Sequence, residues 1–390
     1  MIRIFFKTMW NNRRRNILVF TELFMISLVL VNLTIYLSNM LVVYRVKNCY
    51  DTHNVVLVNV HKKNNEDKET TNQSIRNLIK TFGSNSFVES VSISTNAIPY
   101  NYNLATTNFR HDSDLFNLAL RYVDLDYAKV MKITPLKGRW FNETDIGKKV
   151  NPIIISREIE DKYYQGNALG KTILENNNTY EIVGVVDPFK RSDIEKPYPF
   201  GFIFDNNFRG GASLLIRTKE NKTGDMLSVA ESLVKSTLNP ENWTMGSLNS
   251  LENMRDKQND QNYQRNYLSV IIALFIIINI FLGTVGILWY NTNLRIHEIG
   301  IKRALGSTRA GIRKLLIAEN MFLAGLALLI VVLIIIQIPS FFEQKRVEEG
   351  VLSLSIFISV ATTIILVLLS TLIPASLASK IHPATALKTE

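Results

Sequence analysis

Hydrophobic residues collect in four long blocks of the chain, at residues 17–43, 267–290, 315–338 and 351–375. Their only charged residues are Glu22 and Glu319. A bilayer core about 30 Å thick needs roughly 20 apolar residues in a helix, so each block is long enough to cross it. The blocks lack the polar stripe of a surface helix. The pattern therefore predicts four transmembrane helices.

Residues 44–266, between the first two blocks, read as a water-soluble domain. Strand, helix and strand are predicted in that order near both its beginning and its end. This repetition predicts one α+β lobe built from both ends, with a second lobe inserted at about residues 113–204. Residues 250–266 lack Gly and Pro, so we expect a helical stalk that extends the second span, with Tyr44–Tyr50 extending the first. The individual predictions are strands at 55–60, 88–94, 120–123, 152–156, 171–174, 180–186 and 213–217, a short strand near Trp243, and helices at 72–82 and 225–238.

Charge next to the spans predicts the orientation. Residues 1–16 carry five Lys or Arg and no acid, and residues 291–314 carry six against Glu298 alone. Segment 339–350 has two basic and three acidic residues. Because cytoplasmic loops are enriched in Lys and Arg, both termini and 291–314 are expected in the cytoplasm. Residues 44–266 and 339–350 are then extracytoplasmic, and the amphipathic 1–16 segment is expected on the inner membrane surface.

The overall composition excludes several classes of protein. The 390 residues carry a net charge of +10, which alone would suit nucleic-acid binding, but its concentration beside the spans indicates topology and anionic headgroups instead. One cysteine excludes an internal disulfide scaffold, and 47% hydrophobic residues exclude a largely disordered chain. The first block exceeds the length of a signal-peptide core, so an uncleaved anchor is expected. Glu22 is interpreted as an interfacial residue that snorkels or pairs with Arg15.

Candidate catalytic motifs are weak. Segment 166–172 has three residues between its glycines where a phosphate-binding loop needs four, and His297-Glu298 lacks the second histidine of a zinc-protease motif. The carboxylate pairs Asp124/Asp126 and Glu143/Asp145 are more typical of solvated turns, and Cys49 has no evident base. We therefore expect no enzyme activity, metal or cofactor in this chain. By contrast, the loop 291–314 is long and partly apolar, which favours docking to a partner over a bare linker.

Several segments resemble one family. Glu298–Gly306, EIGIKRALG, is similar to the EIGIRRALGA signature of MacB-like and FtsX-like ABC permeases, and Pro374–Leu387 resembles their closing segment. Gly138–Phe141, Ala168–Ile173 and Tyr180–Val186 are similar to the GRxF, LGKxI and YxVVGV elements of their extracytoplasmic core domain. The order of one span, a large outer domain and three spans also agrees.

The resemblance implies a fold and a function. The fold is an integral membrane α-helical protein whose two-lobed α+β extracytoplasmic domain is inserted between helices 1 and 2. Movement of a separate ATPase subunit, which holds ATP and Mg, would be received by Glu298, Ile299, Gly300, Ile301, Lys302, Arg303, Ala304, Leu305 and Gly306. The expected layout is a cytoplasmic helix 1–16, span 17–43, core domain with stalk 44–266, span 267–290, coupling loop 291–314, span 315–338, outer loop 339–350, span 351–375 and cytoplasmic tail 376–390.

The same resemblance implies partners and a location. A permease dimer in a bacterial cytoplasmic membrane would transmit the ATPase movement outward, to export or extract a hydrophobic or peptide-like substrate. An outer-membrane duct, an adaptor or a cell-wall hydrolase could be a further partner, and nucleic acid is not expected. The alternatives are an FtsX-like regulator of a cell-wall hydrolase or sensor, and a membrane-anchored receptor without an ATPase.

Overall fold

The computed structural model describes residues 13–63, 67–101, 105–111, 114–176, 178–193, 195–205, 211–337 and 349–380. They form two compact units, one from the residues up to Val42 together with those from Arg265 onward, the other from Val43 to Gln264. In chain order the elements are α1 (Arg13–Arg45), β1 (Val55–Lys62), α2 (Lys68–Gly83), β2 (Val88–Thr95), β3 (Thr106–His111), β4 (Asp114–Val123), α3 (Tyr127–Met131), β5 (Lys137–Gly138), a 3-10 turn (Glu143–Asp145), β6 (Asn151–Ser156), α4 (Arg157–Tyr164), β7 (Thr172–Glu175), β8 (Asn178–Val186), β9 (Phe200–Phe204), β10 (Gly211–Thr218), α5 (Thr223–Thr237), β11 (Trp243–Ser250), α6 (Leu251–Asn293), α7 (Ile296–Ala304), α8 (Arg309–Gln337) and α9 (Glu349–Ser379).

Four helices of the described residues are long and apolar enough to cross a membrane, namely α1, α6, α8 and α9. Each contains one predicted block, except that the block at 315–338 extends one residue beyond Gln337. Small side chains bring these helices together: Ala324 and Ala327 of α8 are fully buried in a cluster with Leu23 of α1 and Val367 of α9. Most of the predicted 1–16 segment and the 339–350 loop, with the tail after Lys380, lie outside the described residues.

The two ends of the Val43–Gln264 unit, called the outer unit below, interleave as two β-α-β motifs. The first is β1-α2-β2, the second is β10-α5-β11, and their strands lie in the order β11-β1-β10-β2. The neighbouring strands are antiparallel, for example with Val56 opposite Ile216. Helices α2 and α5 share one hydrophobic core with these strands, and Phe82 and Met226 are completely buried in it. This arrangement matches the predicted pairing of the two ends of the domain.

The strands between these two motifs close into a six-stranded barrel. Neighbouring pairs follow the ring β4-β3-β7-β8-β6-β9, and parallel pairing of β9 with β4 closes it. Alternate residues point inward: Ile153 and Ile155 of β6 lie in one core, whereas Ile154 lies in another. Strands β3, β5 and β9 were not among the predicted elements. Strand β4 of the barrel also pairs with β2, so the eleven strands of the described residues belong to one hydrogen-bonded sheet.

Three of the family-like segments meet at one place on this barrel. Gly138 of β5 pairs with Gly184 of β8, and the Gly170 N–H donates to the carbonyl of Ile182. Gly138 has φ +72°, and an added Cβ there would lie 2.3 Å from the Val183 oxygen. Only glycine fits such a conformation and approach. These segments therefore stabilise the fold.

The extension of the first helix was predicted too long. Helix α1 ends at Arg45, so the expected helical Tyr44–Tyr50 segment is wrong beyond that residue. The Cys49 N–H donates to the carbonyl of Pro188, and the Tyr50 ring packs 4.7 Å from that of Phe189. Burial of this aromatic ring in the domain core outweighs helix continuation. The extension of the second span is confirmed, since α6 begins at Leu251.

Candidate functional site: the loop between α6 and α8

Short-range hydrogen bonds define the end of helix α7 and the start of α8. Gly306 follows its last turn with φ +94°, a left-handed conformation that favours glycine. The Gly306 N–H donates to the Arg303 carbonyl and the Ser307 N–H donates to the Lys302 carbonyl, which together form a Schellman motif. Thr308 then caps α8, because its Oγ1 accepts from the Gly311 N–H at 3.1 Å. The chain thus stops one helix and starts the next within five residues.

A buried arginine connects this loop to the span α8. Arg295 and Glu319 are each only 8% exposed. The arginine donates through Nη1 to Oε2 of Glu319 and through Nη2 to its Oε1, the latter at 3.2 Å. Arg295 also donates to Glu298 through Nε at 3.1 Å. Lys302 Nζ adds a further contact to Glu298 at 2.8 Å. We call Arg295, Glu298, Lys302 and Glu319 the latch; two positive and two negative groups balance each other in it.

The latch holds its loop residues in their charged forms. Burial alone would raise the pKa of Glu298, but hydrogen bonds from Arg295 and Lys302 lower it to about 2. Burial would likewise lower the pKa of Arg295, yet its hydrogen bonds to Glu319 and Glu298 raise it above the ordinary arginine value. Both ions therefore persist throughout the physiological pH range.

An apolar contact supports the same attachment. Ile299 is buried in a cluster with Ile312 and Leu316 of α8 and with Ala375 and Ala378 of α9. Charged and apolar groups on one side of α7 thus hold it against two spans. Other positions of this segment are exposed: Ile301 is 41% exposed, and Leu305, which directly follows the last turn of α7, is 82% exposed.

The nine predicted coupling residues therefore fall into four structural groups. Glu298, Ile299 and Gly300 face inward with Lys302, whereas Ile301, Ala304 and Leu305 are exposed, and Gly306 forms the helix end. Arg303 is half-buried and its NH1 donates to the Ser307 carbonyl at 3.3 Å. Sequence reasoning did not identify Arg295 or the role of Glu319. The signal was present, because an acid inside an apolar block needs a partner.

The other candidate sites have structural explanations. Gly166 and Gly170 both have positive φ and form turns beside β7, and Asp145 is bound by Arg139 and Lys148. Burial raises the pKa of Cys49 to about 12, so its thiol stays protonated. Within the part of the chain that the structure describes, no His, Cys, Asp and Glu cluster could hold a metal ion.

Fold and loop together define a protein with four membrane-crossing helices, a soluble α+β domain and a helix anchored between the spans α6 and α8. Residues 25–225, about half of the chain, match the family of the MacB-like periplasmic core domain, and residues 270–383 match the FtsX-like permease C-terminal family. The chain therefore belongs to the MacB-like, FtsX-like permease family.

Individual relatives are distant. The macrolide export ATP-binding/permease protein MacB of Neisseria gonorrhoeae is 23% identical over 220 residues, covering 53% of this chain and 32% of the relative. MacB of Bdellovibrio bacteriovorus is 23% identical over 278 residues, covering 68% and 43%. The chain thus spans less than half the length of these relatives.

Solved structures similar to the chain are of outer domains. The periplasmic region of MacB from Actinobacillus actinomycetemcomitans covers 54% of this chain and 94% of its own, with 14% identity and a TM-score of 0.36. The match to the extracellular domain of the transporter YknZ from Gram-positive bacteria covers 49% of this chain and 100% of that domain, with 16% identity and a TM-score of 0.35.

Proposed function

We propose that this chain is the permease subunit of an ABC transporter that works by mechanotransmission. A separate ATPase, carrying ATP and Mg, docks on the exposed side of α7, and its movement passes through the spans to the outer domain. The observation that carries the proposal is that α7 is fixed by buried contacts while the apolar residue at its end, Leu305, is exposed. The latch also fixes α7, so a force on the exposed Leu305 moves the spans rather than bending a loose loop.

The proposed assembly is a dimer, with a second copy or a paralogue, in a bacterial cytoplasmic membrane. Both termini and α7 lie on the cytoplasmic side, and residues 44–266 lie outside, in two lobes that correspond to the interleaved motifs and the barrel. The excess of Lys and Arg in 1–16 and 291–314 supports this orientation. The relatives' name, macrolide export ATP-binding/permease protein, supports export as the activity. The proposed substrate is a hydrophobic or peptide-like compound that is exported or extracted.

Leu305 offers a direct test of ATPase docking. We expect Leu305→Glu to reduce association with the ATPase at least roughly tenfold, since a charge in an apolar contact is costly. The matched control is Leu115→Glu, because Leu115 is 66% exposed on the outer domain. Association of each variant is measured by co-purification of the ATPase from the native bacterium. In separate strains a photoreactive residue replaces each leucine, and mass spectrometry identifies the cross-linked adduct.

The proposal requires a Walker-motif protein in the adduct at 305 and not at 115. ATP hydrolysis by the purified complex should fall with Leu305→Glu and not with Leu115→Glu. Equal association and hydrolysis in both variants would refute the docking surface and favour a receptor without an ATPase. A peptidoglycan hydrolase cross-linked to the outer domain would instead favour the regulator.

A further inference from the structure

A short loop of the outer unit holds the end of α1. This loop, residues 188–193, is part of the connection between the barrel strands β8 and β9. Lys190 is only 2% exposed, and its ammonium donates to the carbonyl of Val43 at 2.5 Å. Val43 lies in the last turn of α1, whose carbonyls have no partner within the helix. A buried lysine at this position satisfies a helix-end carbonyl and complements the negative end of the helix dipole.

The same loop also binds the beginning of α6. Asp193 Oδ2 accepts from Arg255 Nε at 2.9 Å and from Asn259 Nδ2 at 2.8 Å, and its Oδ1 accepts from the Tyr100 hydroxyl at 3.0 Å. Burial would raise the pKa of Asp193, but these three donors lower it, so the carboxylate remains charged. Leu251 and Met254 add apolar contacts to the domain core.

Further contacts fix the loop itself. Phe189 is completely buried and packs on the rings of Tyr50, Phe200 and Phe202. The Tyr50 hydroxyl donates to the Lys190 carbonyl at 2.6 Å. Two opposite charges, three residues apart on a loop tied to the barrel, therefore hold two different helices. A loop that only joined two strands would need neither the buried lysine nor the half-buried carboxylate.

We propose that Lys190 and Asp193, with Arg255 and Asn259, form a clamp that fixes the outer ends of both membrane-leading helices to the barrel. In this proposal, which rests on the proposed function, they are positioning residues: a shift of α1 or α6 moves the barrel because the clamp prevents the helix ends from sliding over the domain.

Distances within the outer unit test the clamp. The full-length chain, in nanodiscs and with Cys49→Ser, carries spin labels at the exposed Lys257 of α6 and Glu143 of the barrel domain. We expect Asp193→Asn and Arg255→Gln each to widen the label-to-label distance distribution at least about twofold, since each removes a charge-assisted hydrogen bond. Arg255→Lys, which keeps the charge, should widen it less.

The matched control is Lys235→Gln, which removes the exposed Lys235–Glu231 pair of α5 in the same domain. It should leave the distribution unchanged. Thermal unfolding of each variant is recorded alongside to measure its overall stability. If the distance distribution widened equally in Arg255→Lys and Arg255→Gln, the cause would be a general loss of stability, and the clamp would be overturned. Unchanged distributions in Asp193→Asn and Arg255→Gln would also overturn it. No ATPase is present in this experiment, so its outcome is independent of the docking test at Leu305.

Discussion

Breaking the latch by one residue should release α7 from α8. In Glu319→Gln, Arg295 stays buried and loses its main counter-charge. Removing one member of a buried ion pair costs about 3–5 kcal/mol. Because about 1.4 kcal/mol corresponds to a factor of ten, the open population of α7 should rise roughly a hundred- to a few thousand-fold.

Hydrogen exchange of the α7 amides, in nanodiscs at fixed pH, measures this population. The control is Lys302→Gln, which removes a half-exposed pair of the same latch. Such a pair contributes about 0.2–0.5 kcal/mol, so exchange should accelerate less than roughly threefold. The double variant Arg295→Met/Glu319→Leu should exchange more slowly than Glu319→Gln, because no buried charge is left unpaired.

Two results would refute this reasoning. If Glu319→Gln and Lys302→Gln accelerated exchange equally, burial would not determine the strength of the latch. If the effects of the Arg295→Met and Glu319→Leu single variants added up in the double variant, the two residues would not act as a pair.

Three further predictions concern particular positions. Gly138→Ala places a Cβ 2.3 Å from the Val183 oxygen at φ +72°, so the outer domain should lose several kcal/mol of stability. Thermal unfolding of the chain measures this loss. The control is Gly147→Ala, whose added Cβ meets nothing within 4 Å. Gly306→Ala, also in open space but at φ +94°, should lose about 1 kcal/mol and accelerate exchange in the last turn of α7 about fivefold. Burial raises the pKa of Asp124 to about 6 despite hydrogen bonds from Ser92 and Ile93. The protonated carboxyl therefore contributes to stability below about pH 4, and this contribution is lost as the pH rises through 6. The outer domain should melt at a higher temperature at pH 5 than at pH 7.5, and Asp124→Asn should reduce this difference.

The sequence predicted what depends on local pattern. Block length and lack of charge located the four spans, and hydrophobic periodicity located α2 and α5. Barrel closure was not predictable in this way, because it depends on β9 pairing in parallel with β4, about 80 residues earlier in the chain. The end of α1 at Arg45 was missed for a similar reason, since the burial of Tyr50 against Phe189 is a long-range contact.

The candidate site was predicted only in part, again because of sequence distance. The EIGIKRALG segment marked α7 and its glycine end, yet Arg295 precedes this segment and Glu319 lies 24 residues beyond Arg295. A charge inside a hydrophobic block indicates that a partner is needed but does not identify it. For Glu22, the other acid in the four blocks, pairing with Arg15 stays a prediction, because the side chain of Arg15 is not among those described.

The residues that match the family signatures and the residues that we propose to transmit movement are therefore largely different sets. Gly138 and Gly184 match the outer-domain signatures and hold the barrel together by close backbone approach. The latch arginine and the clamp residues Lys190 and Asp193 lie outside every family-like segment, although Arg295 and Lys190 are buried charges and Asp193 is a half-buried one, each held at a helix end. A buried charge is unfavourable unless its partner stays in place, so it keeps two elements together over a small range of distances. In the proposed mechanism the helices move as rigid rods, and substitution of these groups should uncouple that movement without unfolding the domains.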